Sequence, residues 1–198
     1  MSLASIPGAS DSLVDLLDRE LRDLNARHQG KIAQDLFTVK LFQSTNFNDE
    51  NSNIVSLFLY RVDVDEARRN VEMPPPGLGR SGSRWLGLEL SYLLTVWGQK
   101  SASGEQIVLQ HCMEILHEFA ILQGSNLSSK HLWEPEDAMR ISLAPMNHED
   151  LMRLWDGFDV PYQLSVPYLV RTVRLAPRES GEALVTSRGL AFGARIRP

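Results

Sequence analysis

"RWLGLELSYLLTVWG", residues 84–98, is the stretch on which the fold turns. Leu86, Leu88, Leu90, Tyr92, Leu94 and Val96 recur at every second position, so an extended chain carries all six on one side. The spacing predicts a long strand with one heavily apolar face, and hence a domain organised around a sheet. Upstream, "LFTVKLFQ" (36–43) and "NIVSLFLYRV" (53–62) also read as strands, rich in β-branched and aromatic residues and separated by the polar "STNFNDENS". The second is so continuously apolar that it belongs in the middle of the sheet, with both faces covered.

Further out, helical periodicity takes over. Leu13, Leu16, Leu17, Leu21 and Leu24 form one stripe of "DSLVDLLDRELRDLNARH" (11–28), with Gly30 as its stop. Three prolines and three glycines in "MPPPGLGRSGS" (73–83) mark a loop. After the long strand, Ser103 and Gln106 have the spacing of a capping box for a helix over 104–124. Its stripe is Val108, Cys112, Ile115, Leu116, Phe119 and Leu122, and Gly124 ends it. "AMRISLAP" (138–145) is a short strand, and Asn147 with Asp150 caps the helix "HEDLMRLWDGF". "LSVPYLVRTVRLAP" (164–177) is a further strand, in which Pro167 indicates an edge or a bulge. This order gives an α/β (α+β) domain, a mixed, largely antiparallel β-sheet flanked by helices, over residues 1–177. Residues 178–198, Gly- and Arg-rich, read as a final strand or a docking arm.

Composition narrows the function classes. The 198 residues are 43% hydrophobic and 23% charged, as in a folded domain. The single cysteine excludes an intrachain disulfide and fits a reducing cytoplasm. "MSLASIPGASDSL" lacks a basic stretch followed by an apolar one, so no secretory signal is expected, and no apolar run is long enough to cross a membrane. Residues 171–198 hold six arginines against two glutamates, a net of +4, which leaves −9 of the total −5 on residues 1–170. An acidic body with a basic tail favours docking between copies or onto acidic partners. Arg171, Arg174, Arg188, Arg195 and Arg197 are the candidate partner contacts, with Trp133 in "KHLWEPED" as a surface anchor.

Motifs for catalysis fail on context. Gly77-x-Gly79-x-x-Gly82 matches a dinucleotide fingerprint in letters, but follows a proline run and leads into a strand, where a phosphate site needs the N-terminus of a helix. Glu114-x-x-His117 lacks the second such pair that a dimetal bundle requires. His111 and His117 lie on different sides of their helix, and His28, His131 and His148 have no ligand spacing. Cys112 sits within an apolar stripe, as a core residue rather than a nucleophile. Asp63, Asp65 and Glu66 close the second strand. Two of them share a side and the third does not, so they read as a solvated strand end neutralised by Arg68 and Arg69 rather than a metal site. No catalytic residue, metal or cofactor is expected.

At "LFLYRV" (57–62), "LELSYLLTVWG" (88–98), "RISLAP" and "RLWDGFDVPYQLSVPYLVRTV" (153–173), the chain resembles the N-terminal domain of the cap, or tail-terminator, proteins of extracellular contractile injection systems, phage-tail-like particles of antifeeding-prophage type. The likeness spans roughly residues 10–176, and Leu154-Trp155 followed by "PYQLSVPYLV" is its most specific part. The resemblance implies a tail-terminator-like fold and a structural, non-enzymatic protein. It implies a sixfold ring, a homo-hexamer, that closes the baseplate-distal end of the inner tube and sheath and stops their polymerisation. Tube and sheath proteins would be its partners, with assembly in the cytoplasm before incorporation into the particle. The positions carried over are framework ones: Leu57, Tyr60, Arg61, Tyr92, Thr95, Trp97, Leu154, Trp155, Ser165 and Tyr168. The competing expectation is an adaptor that holds an acidic protein or nucleic acid through its Arg-rich segment, against which the overall acidity counts for nucleic acid.

Overall fold

The computed structural model describes residues 5–27, 37–49, 51–65, 86–98 and 102–175. In chain order the elements are α1 (Ser5–Arg27), β1 (Thr38–Phe42), a 3-10 turn (Ser44–Asn48), β2 (Ile54–Val64), β3 (Leu86–Trp97), α2 (Ala102–Glu118), β4 (Ile121–Gln123), β5 (Ala138–Leu143), α3 (His148–Asp156) and β6 (Ser165–Leu175), with a second 3-10 turn at Gly124–Asn126. The strands form one sheet in the order β1-β2-β3-β6-β5-β4. Among the described strands only the β1–β2 pair is parallel, so the fold is α+β with a mixed, mostly antiparallel sheet.

The long strand β3 sits near the middle and separates two cores. Leu88, Leu90, Tyr92, Leu94 and Val96 face α1 and α2, where they meet Leu13, Leu16 and Leu17 of α1 and Val108, Cys112 and Leu116 of α2. Leu93 and Trp97 point the other way, into a second core built with Phe42, Phe47, Ile54, Trp155 and Phe158. Thus β3 is apolar on both sides over its second half, where period-two reading of the sequence showed one apolar side. Strand β2 alternates in the same manner, with Val55 and Leu57 on the helical side and Ile54 and Phe58 on the aromatic side. Tyr60 is an extra residue in the β2–β3 ladder, a bulge after which Arg61 lies opposite Ser91.

Helix α1 begins six residues upstream of the 11–28 span expected, because Pro7 in its first turn needs no amide partner there. Polar groups fix the helix in place. The Ser10 hydroxyl and the buried Tyr92 phenol share a hydrogen bond of 2.8 Å, and Ser12 Oγ accepts the Ser128 amide at 2.8 Å. Gly8 admits the Trp133 indole, whose Cζ2 would lie 2.7 Å from a Cβ at that position. Gly98 closes β3 at φ +72°, a left-handed conformation, and a Cβ there would lie 2.4 Å from Ser52 Cα.

Three expectations are corrected. Helix α2 stops at Glu118, and Leu122 belongs to the short strand β4, which pairs with β5; the capping-box residue Ser103 lies inside the helix. Pro167 lies on an interior strand, since β6 is held between β3 and β5. Its carbonyl accepts the Ala144 amide at 2.9 Å, so the missing N–H faces the side where β5 has just ended, and the β3–β6 bulge falls instead at Leu88/Glu89. Asn147 caps α3 as expected, its Oδ1 accepting the Asp150 amide at 2.7 Å. The expected stop at Gly30, the loop 73–83 and any strand after residue 177 lie outside the described residues.

Candidate functional site

The framework positions of the sequence motif divide between the two faces of the sheet: Leu57, Tyr92 and Tyr168 lie in the helical core, whereas Tyr60, Trp97, Leu154 and Trp155 meet on the second face. The β-ladders align Ser56, Thr95 and Ser165 side by side across β2, β3 and β6. Two indoles close over this hydroxyl row. Trp97 Nε1 donates to Ser56 Oγ at 2.7 Å, and Trp155 Nε1 donates to Ser165 Oγ at 3.0 Å. Thr95, between them, is 1% exposed, and its Oγ1 has no hydrogen-bond partner. The indole N–H groups are thereby satisfied inside an otherwise apolar layer, which is the condition for burying tryptophan at low cost. Spacing in the motif follows from this geometry: Trp155 on α3 and Ser165 on β6 must be ten residues apart for the chain to turn from helix into strand and bring the hydroxyl beneath the ring.

Phe47 is the centre of the same layer. Its ring stacks on Phe158 at 3.9 Å and meets Phe42, Phe58, Trp97 and Trp155 edge to face at 5.1–5.9 Å. Sequence reasoning took "STNFNDENS" as a polar spacer and missed this residue. The one available sign was a lone phenylalanine between turn formers, which has no solvated reason to be aromatic.

Beyond the aromatic layer the second face is open and charged. Register places Asp63, Glu89, Arg171 and Arg140 in one row across β2, β3, β6 and β5. Arg171 Nε contacts Glu89 Oε1 at 2.9 Å, and Arg61 Nε contacts Asp63 Oδ2 at 2.6 Å. The two described carboxylates at the end of β2 are therefore in different surroundings. Asp63 is paired to Arg61, two residues earlier on the same face, and Asp65 is buried, 5% exposed, rather than solvated as the sequence implied. Glu66, Arg68 and Arg69 lie outside the described residues. Among the described residues no group of three His, Cys, Asp or Glu side chains is placed to hold a metal. Asp63→Asn should cost less than about 1 kcal/mol, because the pair is largely exposed. Urea unfolding with and without millimolar Mg2+ or Ca2+ checks it; a metal-dependent gain in the parent that the variant lacks would reinstate a metal site.

The remaining candidates fall into place individually. Burial pushes the Cys112 thiol up to about 12, which removes it as a nucleophile. Glu114 accepts from Gln110 at 2.8 Å and pairs with His111 Nδ1 at 2.9 Å on an exposed helix face. His131 pairs with Asp11 at 2.7 Å, tying the loop after β4 to α1. Trp133 is half-buried on that same loop, its Nε1 donating to the Ser128 carbonyl at 2.9 Å and its indole packed against the helical core beside Gly8. Arg171 is in the charged row, and Arg174 pairs with Gly87 in the ladder. Arg188, Arg195 and Arg197, like Gly77, Gly79, Gly82, Trp85 and His28, lie outside the described residues.

At the C-terminal end of α3 an open groove of about 350 Å³ is lined by Met152, Trp155, Val160, Pro161 and Tyr162, with Asp156 and Asp159 at its rim. Tyr162 forms one wall, its ring 5.6 Å from that of Trp155. Asp159 adopts φ +56°, uncommon for a residue with a side chain.

Comparison with known proteins adds the following. The family model described as Pvc16 N-terminal domain matches residues 9–188. Among solved structures, the fold is similar to the sheath/tube terminator of the extracellular contractile injection system PVC in its extended state, with TM-score 0.63 and 15% identity over 98% of this chain and 64% of that one. It is also similar to the tube-terminating cap of the anti-feeding prophage, with TM-score 0.56 and 19% identity over 88% of this chain and 61% of that one. The chain thus spans less than two thirds of the length of either protein. No curated protein sequence matches it.

Proposed function

Because this chain belongs to the Pvc16 N-terminal domain family, we propose that it is a structural cap of a contractile injection system, closing the baseplate-distal end of the inner tube and sheath. The observation that carries the reading is the family match over residues 9–188, in a fold similar to that of a sheath/tube terminator; four of the motif positions, Thr95, Trp97, Trp155 and Ser165, also take part in the indole-over-hydroxyl layer. A stack of rings exposes an unsatisfied interface at its growing end. A ring of six copies that binds this interface and presents a different upper surface ends the stack. Such a role needs recognition and rigidity rather than catalysis, and the two-sided core supplies the rigidity. Residues 1–177 act as the ring-forming domain and 178–198 as a basic docking arm, with Arg171, Arg174, Arg188, Arg195 and Arg197 directed at acidic surfaces of its partners. The cap forms in the cytoplasm and leaves as part of the particle.

Deleting the gene should leave the baseplate functional and deregulate length. Negative-stain micrographs of particles from the deletion strain should show ragged distal ends and a broad length distribution. Particles of parental length with closed distal ends would refute the cap.

A further inference from the structure

We propose that the hydroxyls of Thr95 and Ser165 hold a buried water between β3 and β6, beneath the Trp155 indole, and that this water ties the seat of α3 to the central strand. The proposal stands apart from the cap reading, since it rests on the hydroxyl row alone. Thr95 is buried, and its Oγ1 has no hydrogen-bond partner in the protein. A hydroxyl left buried and unpaired weakens folding by about tenfold. Valine would fill the same space without that cost, so a threonine at this position points to a partner that is not a protein group.

The flanking hydroxyls say what the partner is. Ser56 and Ser165 lie directly opposite Thr95 on its two sides, in β2 and β6. Ser56 is fully used: its Oγ accepts from Trp97 Nε1 at 2.7 Å and donates to the Thr95 carbonyl at 3.4 Å. Ser165 is used by half. Its Oγ accepts from Trp155 Nε1 at 3.0 Å, and among the described residues it makes no other hydrogen bond, so its own proton has no acceptor. Two hydroxyls with unused capacity thus face each other across one step of the ladder without bonding directly. Facing Cβ atoms on antiparallel strands are about 4.5–5.5 Å apart, and two hydrogen bonds through one oxygen span about 5.5 Å. A water between them accepts the Ser165 proton and donates to Thr95 Oγ1, which gives it the pair of polar partners that a buried water requires. The cover above is not a flat stack, because the Trp97 and Trp155 rings are 6.0 Å apart and tilted by 50°. Trp155 belongs to α3 and Ser165 begins β6, so the bonds run from helix through indole, serine and water to the middle of the sheet.

The test pairs a crystal structure in which ordered waters are visible with a double-mutant cycle in urea. A density peak should lie within hydrogen-bond distance of both Thr95 Oγ1 and Ser165 Oγ. Thr95→Val removes only the hydroxyl, and should lose that peak and raise the unfolding equilibrium constant by about tenfold. Thr95→Ser keeps the hydroxyl and should keep the peak. Ser165→Ala should cost less in the Thr95→Val background than in the parent, by about threefold or more, because the bridge is already gone. If the parent shows no peak, or if Thr95→Val is as stable as the parent or more so, the hydroxyl is an orphan and no water joins the strands. Additive effects of Thr95→Val and Ser165→Ala overturn the proposal as well.

Discussion

Phe47→Ala should lower the stability of this protein by about 3–5 kcal/mol, the range for truncating a buried aromatic side chain. Phe47 is 2% exposed and contacts five other aromatic rings, so its removal opens a cavity that no single neighbour can fill. The loss should concentrate on the α3 side of the sheet. Chemical denaturation gives the magnitude, and tryptophan fluorescence locates it, since Trp97 and Trp155 both border the cavity. A change below about 1 kcal/mol would mean that the 3-10 turn carrying Phe47 is not seated in this core.

Gly98→Ala should be nearly as damaging, at about 3 kcal/mol or more. A left-handed backbone costs a residue with a Cβ roughly 1–2 kcal/mol, and here the added carbon would lie 2.4 Å from Ser52 Cα and 2.7 Å from the Asn51 carbonyl oxygen. Both obstacles are backbone and cannot rotate away. Relief requires parting the end of β3 from the segment that leads into β2, where Trp97 donates its hydrogen bond to Ser56. Thermal unfolding should show the loss, and Gly124→Ala is a useful contrast. Gly124 also has positive φ, at +56°, but nothing lies within 4 Å of a Cβ there, so only the conformational cost applies.

Much of this fold is written in local periodicity. The alternation in β3, the part of the α2 stripe from Val108 to Leu116 and the Asn147 cap of α3 each depend on residues close together in the chain, and each is where the spacing put it. What the spacing does not show depends on partners far apart in sequence. Leu93 and Trp97 occupy the polar phase of an alternating pattern, and only the arrival of α3 gives that side of the strand a core to face. Phe47 looks like part of a turn until Phe158 is beneath it. Strand β4 has three residues, too few for any period to register, and exists because β5 offers it an edge. Asp65 looks solvated because its neighbours are charged, yet its amide continues the ladder by donating to Gly87. The candidate site was legible as a family motif and illegible as geometry: Trp155 and Ser165 stand out as letters, but the hydroxyl row joins three strands whose order no local signal encodes.

That strand order bears on how the protein is made. Strand β6 is the last of the six to leave the ribosome, yet it occupies the interior of the sheet, bonded to β3 on one side and β5 on the other. Until residues 165–175 emerge, the chain holds two separate half-sheets, β1-β2-β3 and β4-β5, each with a bare edge facing where β6 will lie. Those edges can pair with other nascent chains, and on the β3 side the gap closes only through partners far apart in sequence, such as Leu86 and Leu175. Synthesis therefore passes through a vulnerable interval that ends when a single strand slots into place, and a chain truncated after residue 164 should aggregate more than one that retains residues 165–175.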